Sequence, residues 1–286
     1  MSTLDHKIDF AVVFTVTKAN PNGDPLNGNR PRQNYEGKGE VSDVALKRKI
    51  RNRLMQMEES VFVQSNDNKV DSYGSLKERA EAIPELQKIM KDKNGSSDAF
   101  ALLACNEWID VRSFGQVFAF KGSGGKGVSV GVRGPVSIHT ATSVDQIDIT
   151  NMQITKSVNS EPGTAKGSDT MGMKHRVDFG VYVFKGSINT QLAEKTGFSN
   201  EDAKKFKEAL ITLFENDASS ARPDGSMEVN KVLWWEHSSK LGQYSSAKVH
   251  RTLKIEKNTE EPREFEDYTI QIDELDGLVP EVIDGL

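Results

Sequence analysis

Alternating apolar positions open the chain. Ile8, Phe10, Val12, Phe14 and Val16 interleave with Asp9, Ala11, Val13, Thr15 and Thr17, which predicts a first strand with one buried face. The run N-P-N-G-D-P, from Asn20 to Pro25, then breaks the alternation with two strong turn dipeptides. Ser42 stands where a helix N-cap belongs, and Asp43 falls in the first turn. At 100° per residue Leu46, Ile50, Leu54 and Met57 share one apolar face of that helix, with Lys47 and Arg51 along one flank and Lys49 and Arg53 along the other.

From about Val61 the pattern loosens. A polar turn spans residues 65–71, a helical segment carries Leu76, Ala80, Ile83 and Leu86 across an interruption at Pro84, and a second apolar helix lies near Asp98 to Ile109. Residues 61–121 therefore read as a helical insertion and not as sheet. Val128, Val130, Val132, Val136 and Ile138 alternate with polar residues and predict one long strand. Residues 145–174 lack apolar periodicity and include Pro162, Gly163, Gly167 and Gly172, the composition of a projecting hairpin arm. Val177, Phe179, Val181 and Val183 predict the next strand, antiparallel to the long one. Ser199 with Asp202 forms a capping box ahead of a helix bearing Ala203, Phe206, Leu210 and Leu213. Val229 to Glu236, then Val249 with Leu253 and Ile255, and finally Tyr268 with Ile270 and Ile272 predict the remaining strands.

Strand, helix, strand, strand, helix, strand is the order of an α+β fold with a ferredoxin-like or RRM-type palm, βαββαβ. The expected division is a first half of the palm over 1–60, the helical insertion over 61–121, a Gly-rich loop and palm strand over 122–144, the hairpin arm over 145–176, and the second half of the palm with an acidic C-terminal tail over 177–286.

Charge changes this picture. The 286 residues carry 37 basic and 42 acidic groups, a net −5 that argues against a polyanionic partner. Residues 256–286 alone hold 11 acidic groups against Lys257 and Arg263, so the remainder has 35 basic against 31 acidic. An acidic tail masks a mildly basic body. The basic residues concentrate where the loop from Asn20 meets the helix from Ser42, and a helix start with unsatisfied N–H groups beside Arg30 and Arg32 suits a phosphate chain. Asn20, Asn22, Arg30, Arg32, Ser42, Lys47, Arg48 and Arg51 are the candidate phosphate contacts.

Other chemistry is weak. G-S-G-G-K-G (Gly122 to Gly127) spells a dinucleotide fingerprint, but a strand follows it where that site needs a helix. It fails as a Walker loop because Gly127 follows Lys126. A hairpin connection and an RNA-contacting loop using Lys121 and Lys126 both remain open. Phe179 to Phe184 partly matches the aromatic strand of RRM proteins, though Phe179 shares a face with Val181 and Val183 and reads as packing. His6, His139, His175, His237 and His250 have no metal-ligand spacing, and no nucleophile motif is present. A single cysteine, Cys105, excludes an internal disulfide. The polar N-terminus and the lack of any ~18-residue apolar run predict a cytoplasmic protein with no membrane partner.

N-P-N-G-D-P, S-D-V-A-L-K-R-K-I-R-N (Ser42 to Asn52), G-P-V-S-I-H-T-A-T-S-V-D (Gly134 to Asp145), M-G-M-K-H-R-V (Met171 to Val177) and F-K-G-S-I-N (Phe184 to Asn189) occur in one order along most of the chain. Together they resemble the repeated backbone subunit of the type I-C CRISPR Cascade complex. The resemblance implies a noncatalytic subunit, without cofactor, that polymerises head to tail along a CRISPR guide RNA and presents its bases to a complementary DNA strand beside other Cascade subunits. It implies phosphate contacts at Ser42, Lys47 and Arg48, and a thumb-like hairpin in which Met171 and Met173 wedge beside a base while Lys166, Lys174 and His175 meet phosphates. Related type III subunits cut RNA with an aspartate in the loop after the first strand. Asp24 stands in that loop, between Gly23 and Pro25, where turn chemistry also explains it. The alternatives are accordingly a metal-dependent RNase using Asp24 and a stand-alone RRM-like RNA-binding protein.

Overall fold

A computed structural model describes residues 2–92, 95–120, 128–155 and 171–286. The first strand, β1 (Ile8–Ala19), leads into a small hairpin of β2 (Gly23–Asp24) and β3 (Arg30–Pro31), then the short strand β4 (Lys38–Val41) and helix α1 (Asp43–Gln56). Four helices follow: α2 (Leu76–Glu81), α3 (Pro84–Lys91), α4 (Ser97–Glu107) and α5 (Ile109–Phe114). Pro84 opens α3 at its first turn, where its missing N–H costs nothing. Next come β5 (Gly115–Phe120), β6 (Val128–Arg133), β7 (Val136–Ile138), β8 (Ala141–Gln146), β9 (Ile149–Thr155) and β10 (Met171–Ile188). The chain ends with α6 (Thr190–Thr196), α7 (Asn200–Ile211), β11 (Met227–Glu236), α8 (Ser246–His250), β12 (Leu253–Lys257), β13 (Tyr268–Ile272) and β14 (Glu281–Asp284).

The main sheet runs β14-β11-β1-β10-β8-β4, with β7 and β9 also paired to the long β10. Every one of these pairings is antiparallel. Helices α1 and α7 cover one face, where Leu46, Ile50, Leu54, Phe206 and Leu210 bury against Phe10, Phe14, Tyr182, Phe184 and Trp234. The opposite face is covered by α8 and the β12–β13 hairpin, through Val249, Leu253 and Tyr268 on Ala11, Val13, Val181, Leu233 and Trp235. β1 is therefore buried on both faces, not one, and Asp9 on its expected polar face has no exposure. That carboxylate accepts from His237 Nε2 at 2.8 Å and lies 3.0 Å from Lys7 Nζ. His237 Nδ1 accepts from the Gln243 N–H, which fixes the proton on Nε2. Burial pushes the Asp9 pKa up, but bonds from His237, Ser246 and Lys7 outweigh it and hold it below the usual carboxylate value.

A second, separate core holds α2 to α5 together with β5 and β6, centred on Phe62, Phe100, Trp108 and Phe118. Here the structure corrects the single long strand expected from Val128 to Ile138. Among the described residues β6 pairs only with β5, whereas β7 pairs with β10, and the break falls at Gly134-Pro135. Gly134 sits where a Cβ would lie 2.3 Å from Ser113 O, and Gly115 needs φ +79°, so both glycines are required for this crossing. The expected strand through Val249 is a short helix there, α8. The C-terminal segment is not a loose tail. β13 completes the hairpin lid, β14 forms an edge of the main sheet, and Glu281 and Asp284 pair with Lys207 and Lys231. Trimming the chain after Ile255 removes core residues Tyr268 and Leu278 and so tests folding, not assembly.

Candidate nucleic-acid interface

The β1-to-α1 connection is a braced loop. Asn20 is buried and donates to Asn29 O at 2.8 Å. Asn22 Oδ1 accepts the Ser42 N–H at 3.0 Å and ties the turn to the helix start. Ser42 Oγ in turn accepts from Ala45 N at 3.2 Å, so Ser42 is the expected N-cap. Both asparagines are thus occupied in holding backbone. Asp24 accepts from Leu26 N at 3.2 Å and lies 3.6 Å from Arg32, the turn role that its position between Gly23 and Pro25 suggests. No group of three metal-ligating side chains occurs among the described residues. Among those residues Arg30 has no ion pair or side-chain hydrogen bond, and it stands half-buried beside the loop tip.

The basic flanks of α1 are not simply solvated. Arg48 donates to Val63 O at 2.7 Å, and burial followed by the nearby Arg51 charge lowers its pKa. Arg51 Nε donates to Asp110 Oδ2 at 2.8 Å while its guanidinium stacks 5.0 Å from the Phe114 ring centroid. Asp110 is fully buried and also accepts the N–H groups of Phe62 and Val63 at 2.7 and 3.1 Å. This flank grips the second core. On the other flank Lys49 is buried against Asp217 and Phe214, and Arg53 reaches Thr212 Oγ1 at 2.6 Å. Lys47 keeps its side chain about one quarter exposed, paired with Asp43 at 3.1 Å.

The arm residues lie elsewhere. β9 and the start of β10 form a ladder from Ile149↔Val177 to Thr155↔Met171, with Met171, Met173 and Ile154 about half exposed on it. His175 Nδ1 is 2.6 Å from Asn151 Oδ1, and Lys174 has no side-chain partner among the described residues. Lys121, Lys126 and Lys166 lie outside the described residues. The strands on either side of Gly122 to Gly127 are paired antiparallel, Phe120 against Val128. Phe179 packs, partly buried, against the cluster beneath the β12–β13 hairpin, as its alternation implies.

A loop braced onto a capped helix, with basic residues on both, now stands beside a sheet and a separate helical unit. The profile of the family described as CRISPR-associated protein Cas7 matches residues 6–273. The chain belongs to the Cas7 family. A CRISPR-associated protein Cas7 of Haloferax volcanii is 22% identical to it, over the whole of this chain and 86% of that one. A solved chain from a "CRISPR RNA-guided surveillance complex, pre-nicking" superposes with a TM-score of 0.50 at 16% identity, covering 80% of this chain and 78% of its own. At that identity the likeness is one of fold: a mixed α+β chain with a large antiparallel sheet. Among the described residues no helix is long and apolar enough to cross a membrane.

Proposed function

We propose that this Cas7-family chain is the guide-RNA-binding backbone subunit of a Cascade complex of the type I-C kind, and that it lines up head to tail along the RNA while other Cascade subunits and a complementary DNA strand complete the assembly. Membership of the family carries the reading. The braced loop supports it, because a rigid turn holding Arg30 and Arg32 next to the N-terminus of α1 contacts phosphates at little entropic cost. Base pairing then supplies sequence recognition and the protein reads backbone and shape. We read the palm as ferredoxin-like. Taking β1, α1, β8, β10, α7 and β11 as its six elements, the sheet order β11-β1-β10-β8 is the fourth, first, third and second strand, which fits a split βαββαβ. The β9–β10 ladder with its exposed methionines is the proposed arm over the RNA.

A charge-reversed pair, Arg30→Glu with Lys47→Glu, tests the surface without touching the buried struts. Binding to unrelated single-stranded RNAs is expected to weaken alike, and the dependence of log K on log salt to become shallower by about 1.4 for two lost contacts. A change confined to one sequence, or an unaltered slope, contradicts the assignment. RNA cleavage that needs a divalent ion and disappears in Asp24→Ala would instead support the nuclease alternative.

A further inference from the structure

The lid over the second sheet face is incomplete. Beyond the β12–β13 hairpin a groove of about 360 Å³ remains between β12 and the β8–β10 strands. Three basic side chains line it, Lys38, His139 and Lys185, together with the hydroxyls of Thr140, Thr142 and Ser143. Its remaining wall is apolar, formed by Val144, Val183, Leu253 and Ile255. No carboxylate is among the lining residues; of the two that adjoin them in sequence, Asp145 faces Lys257 at 3.9 Å and Glu256 is exposed. Among the described residues the Lys38 ammonium has no partner, while Lys185 Nζ donates to His250 O at 2.7 Å.

Size and chemistry select the ligand. The volume lies at the small end of ligand pockets and holds one nucleotide-sized unit. Cations opposite an apolar wall match a phosphate joined to a base, because the phosphate needs charge and the base face needs apolar surface. The register adds continuity. Val41 pairs with Ala141 across the β4–β8 edge, so Ser42, the cap of α1, and Thr140, in the groove, follow directly from paired positions. A strand leaving the helix start meets this groove by turning around one sheet edge.

We propose that the groove is a nucleoside-phosphate subsite that receives one nucleotide of the bound strand after it passes the start of α1. The phosphate sits between Lys38, His139 and Lys185, and the base lies along Val183 and Ile255. This rests on the RNA-binding reading, and the experiment separates the two. The full-length protein is photo-cross-linked to a 4-thiouridine-substituted single strand and, separately, to 8-azido-AMP, and the adducts are mapped to peptides by mass spectrometry. Strand adducts within residues 138–144 or 183–185, competed by unlabelled strand, are expected. Adducts there from 8-azido-AMP alone would keep the nucleoside-phosphate chemistry and assign the site to a free nucleotide. The folded double variant Lys38→Gln with Thr140→Val is expected to lose these adducts and to flatten the salt slope by about 0.7. Adducts on the α1 peptide with none in the groove from either probe overturn the subsite and leave the RNA reading standing. No adduct at either place removes both.

Discussion

Lys49 belongs to the most basic helix of the chain, yet its ammonium is buried against Asp217 and the Phe214 ring. Burial first, then the Arg222 charge, depress its pKa from 10.5 to about 8, against the pull of Asp217. Between about pH 8 and 10.5 the unfolded chain holds a proton that the folded chain has released, so the contribution of Lys49 to stability improves as pH rises through that window and is least favourable below it. Lys49→Met is expected to abolish this rise. At pH 7 it is expected to match the parent within about 1 kcal/mol or exceed it, because Arg222 still pairs with Asp217 at 3.1 Å and an apolar replacement avoids desolvating a charge. Urea midpoints at pH 7 and pH 9.5 measure both effects, and a loss above about 2 kcal/mol at pH 7 contradicts the account. The same residue shows the reach of sequence reasoning. Spacing put Lys49 on a flank of the apolar face correctly, but charge patterning carries no information about which flank another element will cover. Asp9 is the parallel case: alternation assigned it to a polar face, and only the lid of α8 and β12–β13 turns that face into a core.

At the level of elements, α1 works as a beam between two units. Arg51 reaches into the second core at Asp110, and Arg112 of α5 reaches across to Asp202 in the α7 capping box, at 2.8 Å. Asp110→Ala leaves Arg51 and two backbone N–H groups without their acceptor. It is expected to lower stability by about 3–5 kcal/mol, read by chemical denaturation, whereas Asp43→Ala at the exposed end of the same helix is expected to cost under about 1 kcal/mol. Equal effects of the two substitutions would contradict the strut role. The legible elements were those with strong local signals: the Ser42 cap, the Ser199 and Asp202 box, and the alternation of β1, β10 and β11. The apolar run from Val128 to Ile138 reads as one strand because alternation persists across Gly134-Pro135, while the pairing partner changes there. β14 went unseen, since Glu281 to Asp284 is short and acidic and is held by Lys207 and Lys231, which lie far away in sequence.

For the whole molecule, the decisive feature is a mildly basic body whose acidic C-terminal segment is folded into the sheet and lid. The net −5 is then set by a segment held in the lid and along the β14 edge, and is not a bar to a phosphate chain at the β1–α1 loop. Much of the candidate site was visible as a cluster of loop and helix residues; the groove with Lys38, His139 and Lys185 was not, because its residues come from β4, β8, β10, β12 and the turn before β8, scattered from Lys38 to Ile255. The most direct measurement is nuclease protection of a long guide RNA titrated with the purified protein, with mass read in parallel by light scattering. Protected lengths that grow in equal steps, each step adding one protein mass, are the predicted result. A single protected length at a fixed one-to-one mass, or a monomer that carries no RNA, would contradict the account.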